Sequence, residues 1–164
     1  MILLLYGYPC SGKTTLATAL SSADNTIMLD GDTFRGTCNK DLGFTEEDRS
    51  ENLRRVGSVA KMISDQGTDV ICSFVAPKEH LRETFREACG GGSLHLFINT
   101  PLEVCESRDT KGMYARARAG TLPFFTGIGS SLDISEDDIH ILMDDLGRQV
   151  RTIGCIVEDY FNNT

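Results

Sequence analysis

Positive charge is scarce: 16 Lys and Arg against 24 Asp and Glu leave this 164-residue chain with a formal net charge of −8. A surface of that sign has no global attraction for DNA, RNA or anionic lipid. Any phosphate-bearing ligand must therefore meet a local cluster of cations. Paired cysteine spacing is also missing. Cys10, Cys38, Cys72, Cys89, Cys105 and Cys155 form no CxxC pair and no Cys/His pattern suited to zinc. Reduced thiols in a cytoplasm are the simplest reading. No apolar run has membrane length, and the apolar start from Met1 to Tyr6 is too short for a signal-peptide core. Internal repeats and linker-like stretches are absent as well. What remains is a chain with 40% hydrophobic and 24% charged residues, the balance of a soluble globular protein, at a length that suits one domain over residues 1–164.

The apolar patterning alternates between strands and helices. Ile2 to Tyr6 is a continuous apolar run, as expected of a strand buried on both faces. A helix is predicted from Lys13 to about Ser22, and a second strand from Thr26 to Leu29 that ends at Asp30. Residues 32–44 read as irregular. Thr45 opens a helix carrying Leu53, Val56, Ala60 and Ile63 at helical spacing, with Gly67 as its stop. A third strand is expected over Val70 to Val75, a helix from Pro77 to about Ala88, and a fourth strand over Leu94 to Ile98. Pro101 begins a short helix, Ile139 to Met143 suggests a fifth strand, and a closing helix is predicted over Asp145 to Phe161. This alternation implies an α/β fold with a mostly parallel sheet covered by helices on both faces.

Gly7-Tyr8-Pro9-Cys10-Ser11-Gly12-Lys13-Thr14 fills every fixed position of the phosphate-loop pattern, between a buried strand and a helix. Glycines let the backbone curl so that N–H groups point at phosphate oxygens, and the helix adds its positive end. Gly7, Cys10, Ser11, Gly12, Lys13, Thr14 and Thr15 are therefore candidate ATP-binding residues. Lys13 would reach the β- and γ-phosphates, and Thr14 would bind Mg2+. Cys10 reads as a small loop residue. Asp30 and Asp32 fall at the carboxyl end of a strand, where ligands sit in open parallel sheets. Two carboxylates there suit magnesium binding and acceptance of a hydroxyl proton. Arg35, Lys40, Arg49, Arg54 and Arg55 follow, and arginine suits an anionic second substrate. Residues 109–126 hold Lys111, Arg116 and Arg118, have Gly112 and Gly120 as candidate hinges, and read as a mobile lid.

Taken together, these blocks resemble adenylylsulfate kinases. The resemblance rests on the phosphate loop, Leu29-Asp30-Gly31-Asp32 with Arg35, Asp41-Leu42-Gly43-Phe44, and Asp48-Arg49 through Arg54-Arg55-Val56. Pro101 to Glu106, Arg108 to Tyr114, Ala117 to Gly120 and Phe125-Thr126-Gly127-Ile128 extend it to about residue 128. It implies a three-layer P-loop kinase fold with about five strands. It implies transfer of the ATP γ-phosphoryl group to the 3′-hydroxyl of adenylyl sulfate, with Mg2+, in sulfate activation. By matching position it implies that Lys13, Asp30 and Asp32 carry the chemistry, with Asp30 beside Thr14 on the magnesium side and Asp32 near the reacting hydroxyl. Arg108 would lie near the ATP adenine, Phe44 and Phe125 would sandwich the substrate adenine, and Arg35, Arg49 and Asn52 would anchor the substrate. Lys111 would belong to the closing lid, and Val75 and Ala76 would line the substrate site. A cytoplasmic homodimer without nucleic-acid or membrane partners completes the expectation.

The chain departs from the family where members carry Phe-Ile-Ser-Pro-Tyr-Arg: here the segment reads Phe74-Val75-Ala76-Pro77-Lys78-Glu79. A Tyr-Glu-x-Pro segment beyond the lid is replaced by Ser131 to Ser135. Two alternatives stay open at this point: a kinase of the same fold acting on another small nucleotide, and a non-catalytic nucleotide-binding regulator. A GTPase is excluded, since Asn39-Lys40-Asp41-Leu42 misplaces the aspartate of the guanine motif.

Overall fold

In the computed structural model, which describes residues 1–22, 25–136, 138–143 and 146–162, the central strand is the first apolar run. This strand, β1 (Ile2–Tyr6), is followed by α1 (Lys13–Leu20), β2 (Thr26–Asp30), α2 (Gly31–Gly36), α3 (Glu46–Ser64) and β3 (Asp69–Ser73). Then come α4 (Glu79–Ala88), β4 (Leu94–Ile98), α5 (Leu102–Ser107), α6 (Met113–Arg118), β5 (Ile139–Ile141) and α7 (Leu146–Asn162). The sheet runs β2-β3-β1-β4-β5, and every pairing is parallel.

Strand periodicity divides the core. Ile2, Leu4 and Tyr6 face one layer with Val70, Cys72, Leu53, Val56 and Phe85, from β3, α3 and α4. Leu3 and Leu5 face the other, with Ile71, Leu96, Leu16 and Ile153, from α1 and α7. Successive strand side chains point to opposite faces, so an unbroken apolar run is what a strand covered on both sides requires. A closely packed helix pair, α3 against α4, lies over the first layer. Gly57 permits it: a Cβ there would sit 2.8 Å from Ala88 Cβ and 2.8 Å from Phe85 O.

Several boundaries differ from the sequence reading. Residues 32–44 are not wholly irregular, because Asp30 Oδ1 accepts from the N–H groups of Asp32 and Thr33 and so caps α2. The third strand stops at Ser73, and Phe74 and Val75 leave the sheet to line the site. The segment 109–126, expected to form a mobile lid, includes the short helix α6. The helix predicted at Pro77 begins after Lys78, and Pro101 is the N-cap of α5. Thr45 caps α3 as its pattern suggests, accepting from Asp48 N–H at 3.2 Å. The predicted start of the last helix, Asp145, lies outside the described residues.

Candidate active site

Parallel register sets the centre of the site. Asp30 pairs with Ser73, and Ser73 with Leu5, so the carboxyl ends of β2, β3 and β1 finish side by side. The first turn of α1 rises in front of them. Thr14 Oγ1 donates to Asp30 Oδ2 at 3.1 Å and lies 3.3 Å from Ser73 Oγ. Sequence reasoning missed Ser73; its signal was the polar end of an otherwise apolar strand.

The phosphate loop is held from both sides. Thr100, just past β4, donates to Ser11 O at 2.8 Å, and Tyr114 of α6 donates to Pro9 O at 2.9 Å. Gly12 caps α1 at φ +100, a conformation for which glycine has no steric cost. Lys13 is buried beneath the loop, donating to Tyr8 O at 2.6 Å and to Ser11 Oγ at 3.3 Å. Burial disfavours its ammonium form and pulls its pKa down to about 8. Burial also pushes the Cys10 thiol up, in keeping with an unreactive loop residue.

Cavities open on both sides of Lys13 and Thr14. One, of about 520 Å3, is lined by Gly12, Thr15, Arg108 and Met143. The other, of about 410 Å3, is lined by Asp30, Asp32, Phe44, Arg49, Val75, Lys111 and Phe125. It continues into a smaller recess of about 100 Å3 that adds Arg35, Asn52 and Ala76. Every candidate ATP residue from Cys10 to Thr15 other than Ser11 borders a cavity, and Ser11 is buried in the loop that forms its wall. Gly7 lies deeper, where a Cβ would come within 2.9 Å of Ile98 O.

The basic residues separate into two groups. Arg54 and Arg55 both clasp Glu51, which they hold down at about 2, and Arg55 also binds Asp41. These are helix-surface braces. Arg35 and Arg49 instead have no ion-pair partner among the described residues. Arg35 donates to Gly43 O, Arg49 to Phe44 O and Phe124 O, and both guanidinium groups lie over the Phe44 ring, at 4.6 and 5.6 Å. Burial and the adjacent Arg35 push the Arg49 pKa down, as expected of neighbouring cations. Asn52 is buried, its Oδ1 accepting from Asn39 at 2.9 Å, which leaves its amide donors for the recess.

The two predicted aromatics differ in setting. Phe44 is 55% exposed, whereas Phe125 is 9% exposed and packs edge-on against Tyr114 with centroids 4.9 Å apart. Beside it Phe124, which sequence reasoning missed, is 59% exposed and also lines the cavity of about 410 Å3. Lys78 and Glu79, which differ from the family pattern, are engaged elsewhere: Lys78 with Ser131 and Asp133, Glu79 with Arg82. Their charges do not enter the recess, whereas Ala76 borders it.

A family model described as adenylylsulphate kinase matches residues 1–141. The chain belongs to this family. It is 45% identical over 137 residues to an adenylyl-sulfate kinase of Paraburkholderia xenovorans, covering 80% of this chain and 76% of the relative. A probable adenylyl-sulfate kinase of Bacillus subtilis is 45% identical over 141 residues, covering 82% and 72%. The fold superposes on the Mycobacterium tuberculosis adenylylsulfate kinase solved in complex with AMPPNP and APS, with a TM-score of 0.90, 33% identity and 96% of each chain covered. The α/β P-loop kinase fold and the family both stand on these matches.

Proposed function

We propose that this ATP-dependent kinase phosphorylates the 3′-hydroxyl of adenylyl sulfate, giving 3′-phosphoadenylyl sulfate and ADP. The observation that carries the reading is the pair of cavities meeting at Lys13 and Thr14, one for each nucleotide. ATP would occupy the side with Thr15 and Arg108, its phosphates reaching over the loop. Lys13 has lost hydration through burial, so phosphate oxygens compensate it strongly there. Asp32, at the head of α2, would orient the attacking hydroxyl and receive its proton. Phe44 and Phe125 would hold the adenine, and Arg35, Arg49 and Asn52 the anionic end of the substrate.

Mg2+ belongs to the same reading. Thr14 Oγ1, Asp30 Oδ2 and Ser73 Oγ form an all-oxygen donor set with a single carboxylate. Among the described residues no three His, Cys, Asp or Glu side chains gather as a metal cage. That fits an ion that keeps several waters and binds through substrate phosphates. Thr14 and Asp30 would hold it, and it would neutralise charge on the transferring group. Among the described residues no helix is long and apolar enough to cross a membrane. A homodimer stays part of the proposal on family resemblance, and a cytoplasmic setting on the unpaired cysteine spacing.

A coupled assay of ADP release with adenylyl sulfate, AMP and other nucleotides tests the substrate. Adenylyl sulfate should give the highest kcat/KM. Turnover with another nucleotide alone, at saturating adenylyl sulfate, would keep the kinase and reject this substrate.

A further inference from the structure

Arg82 is fully buried, although it sits on α4 with no ligand-contacting role in the mechanism above. A buried guanidinium needs compensation on every side. Here it lies 4.2 Å over the Tyr6 ring and pairs with Glu79, while its Nε has no hydrogen-bond partner among the described residues and is compensated by the charge of Asp138, whose Oδ2 lies 3.6 Å away. Tyr6 donates to that same Asp138 oxygen at 2.7 Å, which fixes the carboxylate. The remaining contact leads to the site: Arg82 donates to Ala76 O at 3.1 Å.

Ala76 borders the substrate recess and has φ +39, in a region that residues with a Cβ rarely adopt. Such a conformation persists only when its surroundings over-determine it. The surroundings do so at three consecutive carbonyls. Val75 O accepts from Gly7 N of the phosphate loop at 3.4 Å, Ala76 O from Arg82, and Pro77 O from Asp133 N at 2.7 Å. The turn is thus stretched between the phosphate loop, the buried arginine and the strap after the lid. With its carbonyls fixed, planar peptide geometry fixes the Ala76 N–H as well, and that group has no acceptor among the described residues.

We infer that Arg82, held by Asp138 and Tyr6, is a positioning residue for second-substrate specificity: it locks the Val75–Ala76–Pro77 turn in the shape that forms one wall of the recess. The inference rests on the proposed adenylyl sulfate reading. It assigns Arg82 no contact with substrate. Its effect falls on the recess and not on the ATP cavity, none of whose lining residues it touches.

The test is steady-state kinetics of Arg82→Lys, which keeps the charge but loses the fork that reaches Ala76 O and Asp138 together. KM for adenylyl sulfate should rise roughly tenfold while KM for ATP stays within about twofold. Asp138→Asn, which keeps the shape but loosens the guanidinium, should shift the same parameter in the same direction by a smaller factor. It decides the matter if Arg82→Lys does not fold. A lowered melting temperature with both KM values unchanged in the folded variants would make Arg82 merely structural and overturn the inference. A wild-type protein inactive on adenylyl sulfate would instead overturn the substrate reading on which the inference rests.

Discussion

Lys111 Nζ lies 2.7 Å from Asp32 Oδ2, joining the segment proposed as a lid to the carboxylate that would meet the substrate hydroxyl. Both side chains are exposed, so the pair contributes little to stability. Its consequence is for the lid. Lys111→Met should leave the melting temperature within about 2 °C of wild type. Hydrogen exchange over residues 109–126 should be faster in the free variant than in the free wild type, and should slow in wild type when an ATP analogue and adenylyl sulfate are added together. Equal, strong protection of that segment with and without ligands would contradict a lid.

Lys13 gives ATP binding a pH signature. Its folded pKa is drawn down to about 8 from 10.5 by burial. Phosphate favours the charged form, so ATP binding raises that pKa again. At pH 8.5 binding should therefore take up a fraction of a proton, read by titration calorimetry in buffers of different ionisation enthalpy. Affinity should fall as pH climbs through 8. For folding the sign is opposite. Between about pH 8 and 10.5 the unfolded chain holds a proton that the native state has released, so this residue's contribution favours the native state increasingly as pH rises. Lys13→Ala should abolish the proton uptake and lower turnover by roughly a hundredfold or more. Unchanged uptake in that variant would place the titrating group elsewhere.

Phe44 and Phe125 should separate binding from stability. Stacking on a base contributes ~1–3 kcal/mol, so either alanine variant should raise KM for adenylyl sulfate about ten- to a hundredfold. Phe44 is exposed, and Phe44→Ala should leave the melting temperature nearly unchanged. Phe125 packs against Tyr114, and Phe125→Ala should also cost several kcal/mol, about 3–5 for a buried Phe. Thermal melts beside the kinetics check both halves. A normal KM in Phe44→Ala would remove that ring from the substrate site.

Gly57→Ala tests the α3–α4 contact. The added Cβ would press on Ala88 Cβ and Phe85 O, each 2.8 Å away. Overpacking of this kind costs ~1–3 kcal/mol, despite the better helix propensity of alanine. Denaturant midpoints should fall while KM for both substrates holds. A stabilised variant would mean that the helices separate without penalty.

The sequence reading was most accurate where a signal is local. β1 and β4 have the expected bounds because unbroken apolar runs need no partner to be recognised. Thr14 meets Asp30 because the first turn of α1 rises in front of the carboxyl end of β2, the place where the sequence put both residues. Other features depended on distance along the chain. Tyr114 reaches Pro9 from 105 positions away, and nothing in its neighbours announces that bond. Phe74 and Val75 look like strand residues because the site wall is apolar too. Arg54 and Arg55 could not be told from Arg35 and Arg49 by residue type. In space, Glu51 and Asp41 engage Arg54 and Arg55, while Arg35 and Arg49 border the recess. The short helix α2 escapes the sequence reading because its cap, Asp30, is also the last residue of β2.

The most direct measurement of the central claim is phosphorus NMR of the purified protein incubated with ATP, Mg2+ and adenylyl sulfate. The account predicts a new 3′-phosphomonoester signal that grows in step with ADP, with the phosphosulfate group intact and no matching release of inorganic phosphate. ADP accompanied only by inorganic phosphate, or no new phosphomonoester at saturating adenylyl sulfate, would contradict it.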